Sequence, residues 1–439
     1  MLKLSRPKRT ILLIWAGWVV AMLVYQVMVP ARLGIVTPDK ALMWTAAETT
    51  PGSQDGKPYL NEPFLNSHVS WDSEYYLAIA VYGYEDPSIH RINAYVEYGP
   101  SGAGYWPFII PTKSGEPILA GIPLSYAFFP FYPLVIRLVS VPLSLLGLPV
   151  IATASLAGVL VSVLGTLLGM ISLYELASEE LGEEGGLRAA FYLVIFPSGL
   201  FLAQVYTEGL FVGLAFSSLV LLRRGKRGWA ALLAVFATYT RAVGVALVLP
   251  LLISWIRDQE WRDLDLEWRQ IYFQGLPWRV IWNGLVAFSP ILAYLLWKIS
   301  YYGMAFGQVE AHFFGRGLLS LGSTFITWSN AFGDLLGENP QAAAYYALEW
   351  AAVILGFVAC SLGFKKYPDL ALFGFAVVFL SFTSGQAQGM HRYVIAAPPV
   401  FLQLSSWGKN RAFDRTWTII SILVMGMIAT LFTFDMWAG

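Results

Sequence analysis

Residues 11–30 read ILLIWAGWVVAMLVYQVMVP, a run of twenty positions without a charged side chain. A helix of that length rises about 30 Å, the thickness of a bilayer's hydrocarbon core. Lys3, Arg6, Lys8 and Arg9 stand before it. A signal peptide has an apolar core of only about 7–15 residues followed by small residues at a cleavage site. This run is longer and carries Trp15 and Trp18. It reads as a retained first transmembrane helix over 10–30, and the basic cluster places its start in the cytoplasm.

The whole chain agrees with that segment. It has 439 residues, with 28 basic and 28 acidic side chains, and only 13% are charged. Soluble domains carry about a quarter. Apolar and aromatic types make up 57%, and the mean hydropathy is +0.58. Disorder needs the opposite composition. A nucleic-acid partner would ask for a basic surplus, and there is none. So little charge cannot clothe a soluble surface of this size. The expected class is an all-α polytopic membrane protein in contact with membrane lipids, built as one domain over 1–439. Its oligomeric state is not readable. The single cysteine, Cys360, lies in an apolar run and reads as a small buried hydrophobe. The four histidines show no HExxH spacing, so no metal site is expected.

Residues 31–125 are polar and rich in Pro and Gly, and read as one large extracytoplasmic loop. The remainder, 126–437, reads as a transmembrane bundle. Its apolar runs fall near 127–147, 150–177, 188–205, 207–222, 229–256, 281–301, 342–364, 369–385, 392–407 and 416–437. Counting back from the C-terminus puts 257–280, Lys365, Lys366 and the cluster Lys409, Arg411, Arg415 inside, and 302–341 outside. Counting forward puts RRGKR (223–227) outside, against the positive-inside tendency. Either a segment within 188–256 is re-entrant, or the tendency fails.

The loop holds SHVSWDSEYYLAIAVYGY, residues 67–84. Tyr75, Ile79 and Tyr82 recur at helical spacing, which suits a short amphipathic helix at the membrane surface. Ser70 or Asp72 stands where an N-cap belongs, and Gly83 where a C′ glycine belongs. Asp72 therefore reads either as a cap or as a general base at the water–lipid boundary. Glu74, two residues on, points elsewhere on a helix. It reads as a group that orients an acceptor or as part of a solvated face. A second string, SYAFFPFYPLVIRL (125–138), sets Pro130 and Pro133 among aromatics.

Together these strings resemble the PIG-V family, the second mannosyltransferase of GPI-anchor synthesis, and its prokaryotic relatives. The matches are Trp71, Asp72, Tyr76, Ile79, Ala80, Gly83 and Tyr84, then Ala127, Phe128, Phe129, Pro130, Tyr132 and Pro133. They continue with Pro197, Tyr206, Thr207, Glu208, Leu210 and Phe211, then Thr240, Arg241, Gly244 and Pro250, and finally Arg392, Tyr393 and Pro398 or Pro399. The order is the family's, over most of the chain. Two departures stand out. His68 lies three residues before Trp71 rather than directly before it, and Met304 replaces an acidic residue.

The resemblance implies a GT-C glycosyltransferase fold with its site on the extracytoplasmic or ER-lumenal face. The implied reaction is inverting. An acceptor hydroxyl of a lipid-linked or surface glycan displaces the phosphate of a polyprenyl-phosphate-linked sugar, here mannose, without a metal or other cofactor. Asp72 and Glu74 become the expected catalytic pair. Arg241, Arg392 and His391 become the candidates for the donor phosphate. A guanidinium can grip phosphate with two parallel hydrogen bonds. A structural ion pair with Glu208 explains Arg241 equally well, and His391 reads also as an interfacial structural residue. Trp71, His68, Tyr206 and Glu208 complete the expected substrate pocket, although Trp71 and Tyr206 suit interfacial anchors too. A transporter or flippase of a lipid-linked substrate is the competing class. It predicts an internal repeat, and none is visible.

Overall fold

The computed structural model describes residues 5–35, 37–92, 121–258 and 278–439. Lys3, the loop stretch 93–120 and most of the charged stretch 257–280 lie outside the described residues. The chain is almost wholly helical. The first helix, α1 (Arg6–Arg32), forms as expected and leads into the polar loop. Within the loop, α2 (Ser73–Val81) is the helix expected from the Tyr75/Ile79 spacing. A two-residue antiparallel pair, β1 (Arg91–Ile92) with β2 (Ile122–Pro123), brings the loop's far end back beside it. The bundle follows with α3 (Phe131–Leu143), α4 (Val150–Ile195), α5 (Glu208–Arg223), α6 (Arg227–Thr240) and α7 (Val248–Asp258). Then come α8 (Trp278–Ile299), α9 (Tyr301–His312), α10 (Leu321–Leu335), α11 (Pro340–Gly363), α12 (Pro368–Phe382), α13 (Pro398–Trp407) and α14 (Arg411–Thr433).

Among the described residues α1, α4, α11 and α14 are each long and apolar enough to cross a membrane, and α8 with α9 passes the same test but bends by 83°. Leu13, Val27, Val141, Leu145 and Leu423 stand well exposed on the outside. Such a belt is stable where hydrocarbon rather than water surrounds it. Cys360 is fully buried, as expected.

The helices differ from the apolar runs in three places, and the differences resolve the topology. First, 127–147 is not a crossing. The helix α3 has 13 residues, about 20 Å of rise, and Arg137 ties it to the carbonyls of Ile79 and Ala80 at the end of α2. Second, 150–177 runs on to Ile195, broken only at Gly182, where φ is 76°. A residue with a β-carbon resists that left-handed backbone, so glycine is the natural hinge there. Third, 229–256 is not one crossing but a hairpin. The chain turns at Arg241 through Ala242–Leu247 and comes back, so that Arg227 Nε at one foot lies 3.3 Å from Ser254 Oγ at the other.

With α3 removed from the count, RRGKR returns to the same end as the N-terminal basic cluster. Lys8 Nζ is 3.6 Å from Glu175, and Arg224 pairs with the same carboxylate. Arg223 reaches Asp369 at 2.9 Å, which brings Lys365 and Lys366 to that end as well. At the opposite end Asn339 and Gln341 bond the backbone of Lys40. The segment 302–341 lies there, as expected, and carries α9 and α10.

α4 and α5 pack with unusually close backbones. A β-carbon built on Gly165 would sit 2.6 Å from the Gly209 carbonyl oxygen, and one on Gly213 would sit 2.5 Å from the Gly165 oxygen. Gly165/Gly169 and Gly209/Gly213 are thus two facing small-xxx-small ridges, the usual means of close helix contact in a bilayer.

Two expectations follow from these contacts. Gly213→Ala forces a methyl into backbone and costs about 1–3 kcal/mol. A lowered unfolding midpoint in detergent checks it, and an unchanged midpoint refutes the close contact. For the topology, Lys226→Cys is expected to react with an impermeant maleimide from the same face of the membrane as Arg6→Cys, and Lys40→Cys from the other face.

Candidate active site

Asp72 begins α2 but does not cap it. It occupies the N-cap position with a helical backbone, and its side chain accepts no bond from the helix's own N–H groups. The turn before it is held from outside. Trp71 adopts a left-handed backbone with φ of 50°, and its indole Nε1 donates to the Met436 carbonyl at 3.1 Å. The Tyr206 hydroxyl donates to the Ser70 carbonyl and accepts from the Asp72 N–H, each at 3.2 Å. A non-glycine residue in that conformation is strained and persists only where surrounding contacts fix it. With its backbone so fixed, Asp72 turns its carboxylate across the protein. Oδ2 accepts from Arg392 Nη1 at 3.0 Å, 320 residues away in sequence.

Arg392 lies on the short helix Met390–Tyr393. Glu349, fully buried on α11, caps that helix by accepting from the N–H of Gly389 at 2.6 Å and of His391 at 3.1 Å. Arg392 Nε lies 3.2 Å from Glu208 Oε1. Glu208 opens α5 and also takes the Arg241 guanidinium, which donates to Thr207 Oγ1 at 3.1 Å as well. Asp72, Arg392, Glu208 and Arg241 are therefore one connected chain of charge. Tyr393 sits among three cations. The guanidinium carbons of Arg241, Arg392 and Arg316 lie 5.0, 5.3 and 5.4 Å from its ring centre, within cation–π range.

Asp72, the three arginines and Tyr393 line one cavity of about 1680 Å³, walled by loop residues on one side and by α8, α9 and the Arg241 turn on another. Trp71, Asp72, Glu74, Arg241 and Arg392 all face it. Tyr206 and Glu208 stand behind its wall and hold Asp72 and the arginines. Two expected residues are elsewhere. His391 turns from the cavity, its Nδ1 3.1 Å from Ser198 Oγ and its ring against Gly439. His68 is buried behind the loop with Nδ1 3.0 Å from Gln204 Oε1. Burial lowers its pKa to about 4, so it is neutral. Both histidines have protein partners, which agrees with the structural reading offered for His391.

Glu74 is a correction of a different kind. The face expected to be solvated is buried, with 6% of the residue exposed, and α2 is packed on several sides rather than laid on a surface. Arg316, Lys298, Glu310 and Asp435 also line the cavity, and none was singled out from sequence. Arg316 donates to Ser384 Oγ at 3.4 Å and the Gln388 carbonyl at 3.2 Å, with no carboxylate in ion-pairing distance among the described residues. Its signal in the sequence was faint, one arginine in the segment 302–341 placed outside. Among the described residues no three His, Cys, Asp or Glu side chains gather as a metal site would need.

Burial raises the Glu74 carboxyl to about 7, with Asp435, Glu48 and Asp86 adding repulsion and Lys57 opposing it. Its folded pKa exceeds the unfolded value, so stability is full below about 4.5 and is lost as pH rises through about 7. The loss is on the order of 3 kcal/mol when complete. Glu74→Gln is expected to flatten this, so its unfolding midpoint exceeds that of the wild type at pH 8 and the difference closes at pH 5. Equal pH slopes for the two proteins would refute the placement of Glu74.

The model of the family described as Mannosyltransferase (PIG-V) matches residues 108–305. That span takes in the strings around Pro130, Glu208 and Arg241, and stops short of Asp72 on one side and Arg392 on the other. No curated protein matches the chain. Among solved structures, the chain is similar to ArnT from Cupriavidus metallidurans bound to undecaprenyl phosphate, at 18% identity over 71% of this chain and 66% of that one, with a TM-score of 0.39. It is also similar to the apo oligosaccharyltransferase of Archaeoglobus fulgidus, at 14% identity over 96% of this chain and 56% of that one, with a TM-score of 0.43. The chain thus spans about half to two thirds of their length, and likenesses this distant carry no argument. The family match does. It covers a little under half of the chain, over residues that the motifs had already likened to that family, so the resemblance to PIG-V mannosyltransferases is found by two independent routes.

Proposed function

We propose that this protein transfers a mannosyl group from a polyprenyl-phosphate donor to a hydroxyl of a lipid-linked or surface glycan, on the extracytoplasmic or lumenal side. The observation that carries the proposal is the meeting of Asp72 and Arg392 at 3.0 Å within a cavity large enough for both substrates. A loop acid and an arginine from the far end of the chain have no packing reason to converge there. Buried charge is costly unless it is paired, and such pairs in membrane proteins mark substrate sites.

Asp72 is the base. Its Oδ2 is occupied by Arg392, and Oδ1 makes no hydrogen bond among the described residues, so a lone pair remains for an acceptor hydroxyl. As that proton moves to Oδ1, the acceptor oxygen bonds to the anomeric carbon. The bond from that carbon to the phosphate oxygen breaks, and the lipid phosphate leaves with the electron pair. Arg241 and Arg392 face the leaving group. Arg316 joins them as a guanidinium with no carboxylate in ion-pairing distance among the described residues. Donors fixed before the reaction stabilise the charge that develops on the phosphate. The apolar wall at Val243, Val245, Tyr294 and Leu295 adjoins the arginines, and Leu295 is also exposed on the outer face of α8. A lipid tail can follow that route from phosphate to bilayer. No metal or other cofactor enters this scheme.

Purified protein with polyprenyl-phosphate mannose and candidate glycolipid acceptors tests the scheme. Asp72→Asn keeps the side chain's size and removes the base. It is expected to lower transfer about 10²–10⁴-fold, with donor KM little changed. Equal transfer by the two proteins refutes the assignment.

A further inference from the structure

The cavity has a second end that the donor does not use. Trp44, Trp71 and Trp437 meet there from three distant parts of the chain. Ring centres are 5.6 Å apart for Trp44 and Trp71, 4.8 Å for Trp44 and Trp437, and 5.1 Å for Trp71 and Trp437, each pair close to perpendicular. Perpendicular packing satisfies edges against faces and still leaves indole surface turned to the cavity. All three residues line it, and Trp44 is 40% exposed.

The polar groups beside the indoles are acidic. Asp435 accepts from Ser70 Oγ and from Gln54 Nε2. Glu74 faces the cavity at 6% exposure, and its carboxyl makes no hydrogen bond or ion pair among the described residues. A buried polar group without a partner is costly and calls for a ligand or water. Lys57, the basic neighbour, is paired with Glu48 at 3.1 Å. The arginines gather instead around Tyr393, at the other end. Asp72 lies between, next in sequence to Trp71.

We propose that the Trp44–Trp71–Trp437 end is the acceptor subsite, and that it takes an uncharged pyranoside whose ring lies on the indoles and whose hydroxyls donate to Glu74 and Asp435. The assignment of this end to the acceptor rests on the transfer reaction proposed above. The chemistry selects the ligand class. Indole faces bind the C–H face of a sugar ring, and carboxylates accept from hydroxyls. An anionic sugar would meet Glu48, Glu74 and Asp435 with only Lys57 in compensation. A sugar stacked on Trp71 presents a hydroxyl to the neighbouring Asp72.

The probe is octyl α-D-mannopyranoside, with the full chain held in a non-glycosidic detergent so that no detergent headgroup competes. Binding is read by calorimetry, and transfer from polyprenyl-phosphate mannose is read separately for donor and acceptor. Trp44→Ala is expected to weaken mannoside binding and raise acceptor KM about tenfold, with donor KM within about twofold. Trp44→Phe is expected to restore most of the loss. Glu74→Gln, which the pH argument makes the more stable protein, is expected to weaken binding several-fold. Octyl glucuronide is expected to bind at least about tenfold more weakly than the mannoside. Mannoside binding unchanged in both Trp44→Ala and Glu74→Gln overturns the subsite. So does a parallel rise of donor and acceptor KM, or glucuronide binding as tight as mannoside. Wild-type protein that binds the mannoside in a Trp44-dependent way yet transfers nothing upholds the subsite and defeats the transfer reaction instead.

Discussion

The Arg392 guanidinium holds this site together. It lies between two carboxylates, Asp72 Oδ2 at 3.0 Å and Glu208 Oε1 at 3.2 Å, with Phe201, Tyr206 and Tyr393 rings over its carbon at 5.2–5.4 Å. A cation placed so deep is tolerable only with partners arranged in advance. Each partner comes from a different part of the chain. Asp72 belongs to the first loop, Glu208 to the start of α5, and Arg241, which shares Glu208, to the tip of the α6–α7 hairpin. Removing any one strands a charge, so the loop, the central helices and the hairpin must reach their places together.

That constraint explains features which otherwise look unrelated. The left-handed Trp71 aims Asp72 inward instead of letting it cap its own helix. Tyr206 pins both sides of that turn. Buried Glu349 has no role at the cavity, but by capping the Met390–Tyr393 helix it sets the direction of Arg392. The hairpin turn at Arg241 exists at mid-run because the guanidinium has to meet Glu208. The glycine ridges of α4 and α5 let the backbone carrying Tyr206 and Glu208 sit close against its neighbour. Much of the bundle's irregularity lies where backbone has to deliver a charge.

The sequence made the class of fold and the central residues legible. Span-length apolar runs and scarce charge pointed to a membrane protein, and Asp72, Arg241, Arg392 and Glu208 stood out because they are scarce charges within the motifs that resemble the family's. The reasons for the misses are physical. Hydropathy cannot distinguish a crossing from a hairpin of two short helices, so 229–256 read as one span. It cannot tell a buried juxtamembrane helix from a crossing either, and the RRGKR conflict came from α3. Composition put Glu74 on a solvated face because its burial depends on chain that returns from residue 435. Arg316 went unnoticed because it stands in none of the matched motifs. His68 and His391 were named from the resemblance, and the partners they have here, Gln204 and Ser198, are set by tertiary contact alone.

The distribution of charge in the cavity bears on where the two substrates bind. Arg241, Arg392 and Arg316 gather around Tyr393 with Asp72, Glu208 and Glu310 near them, while carboxylates dominate near the three tryptophans. In the proposed reaction a lipid phosphate would meet those guanidiniums, and its apolar tail would leave by the wall at Leu295. The proposed acceptor, being neutral, would gain little from charge and would depend on stacking and hydroxyl bonds, which are weak until water is displaced. On that reading Asp72 stands between the arginines that would hold the donor and the indoles that would hold the acceptor, so one acid serves both substrates without a moving part.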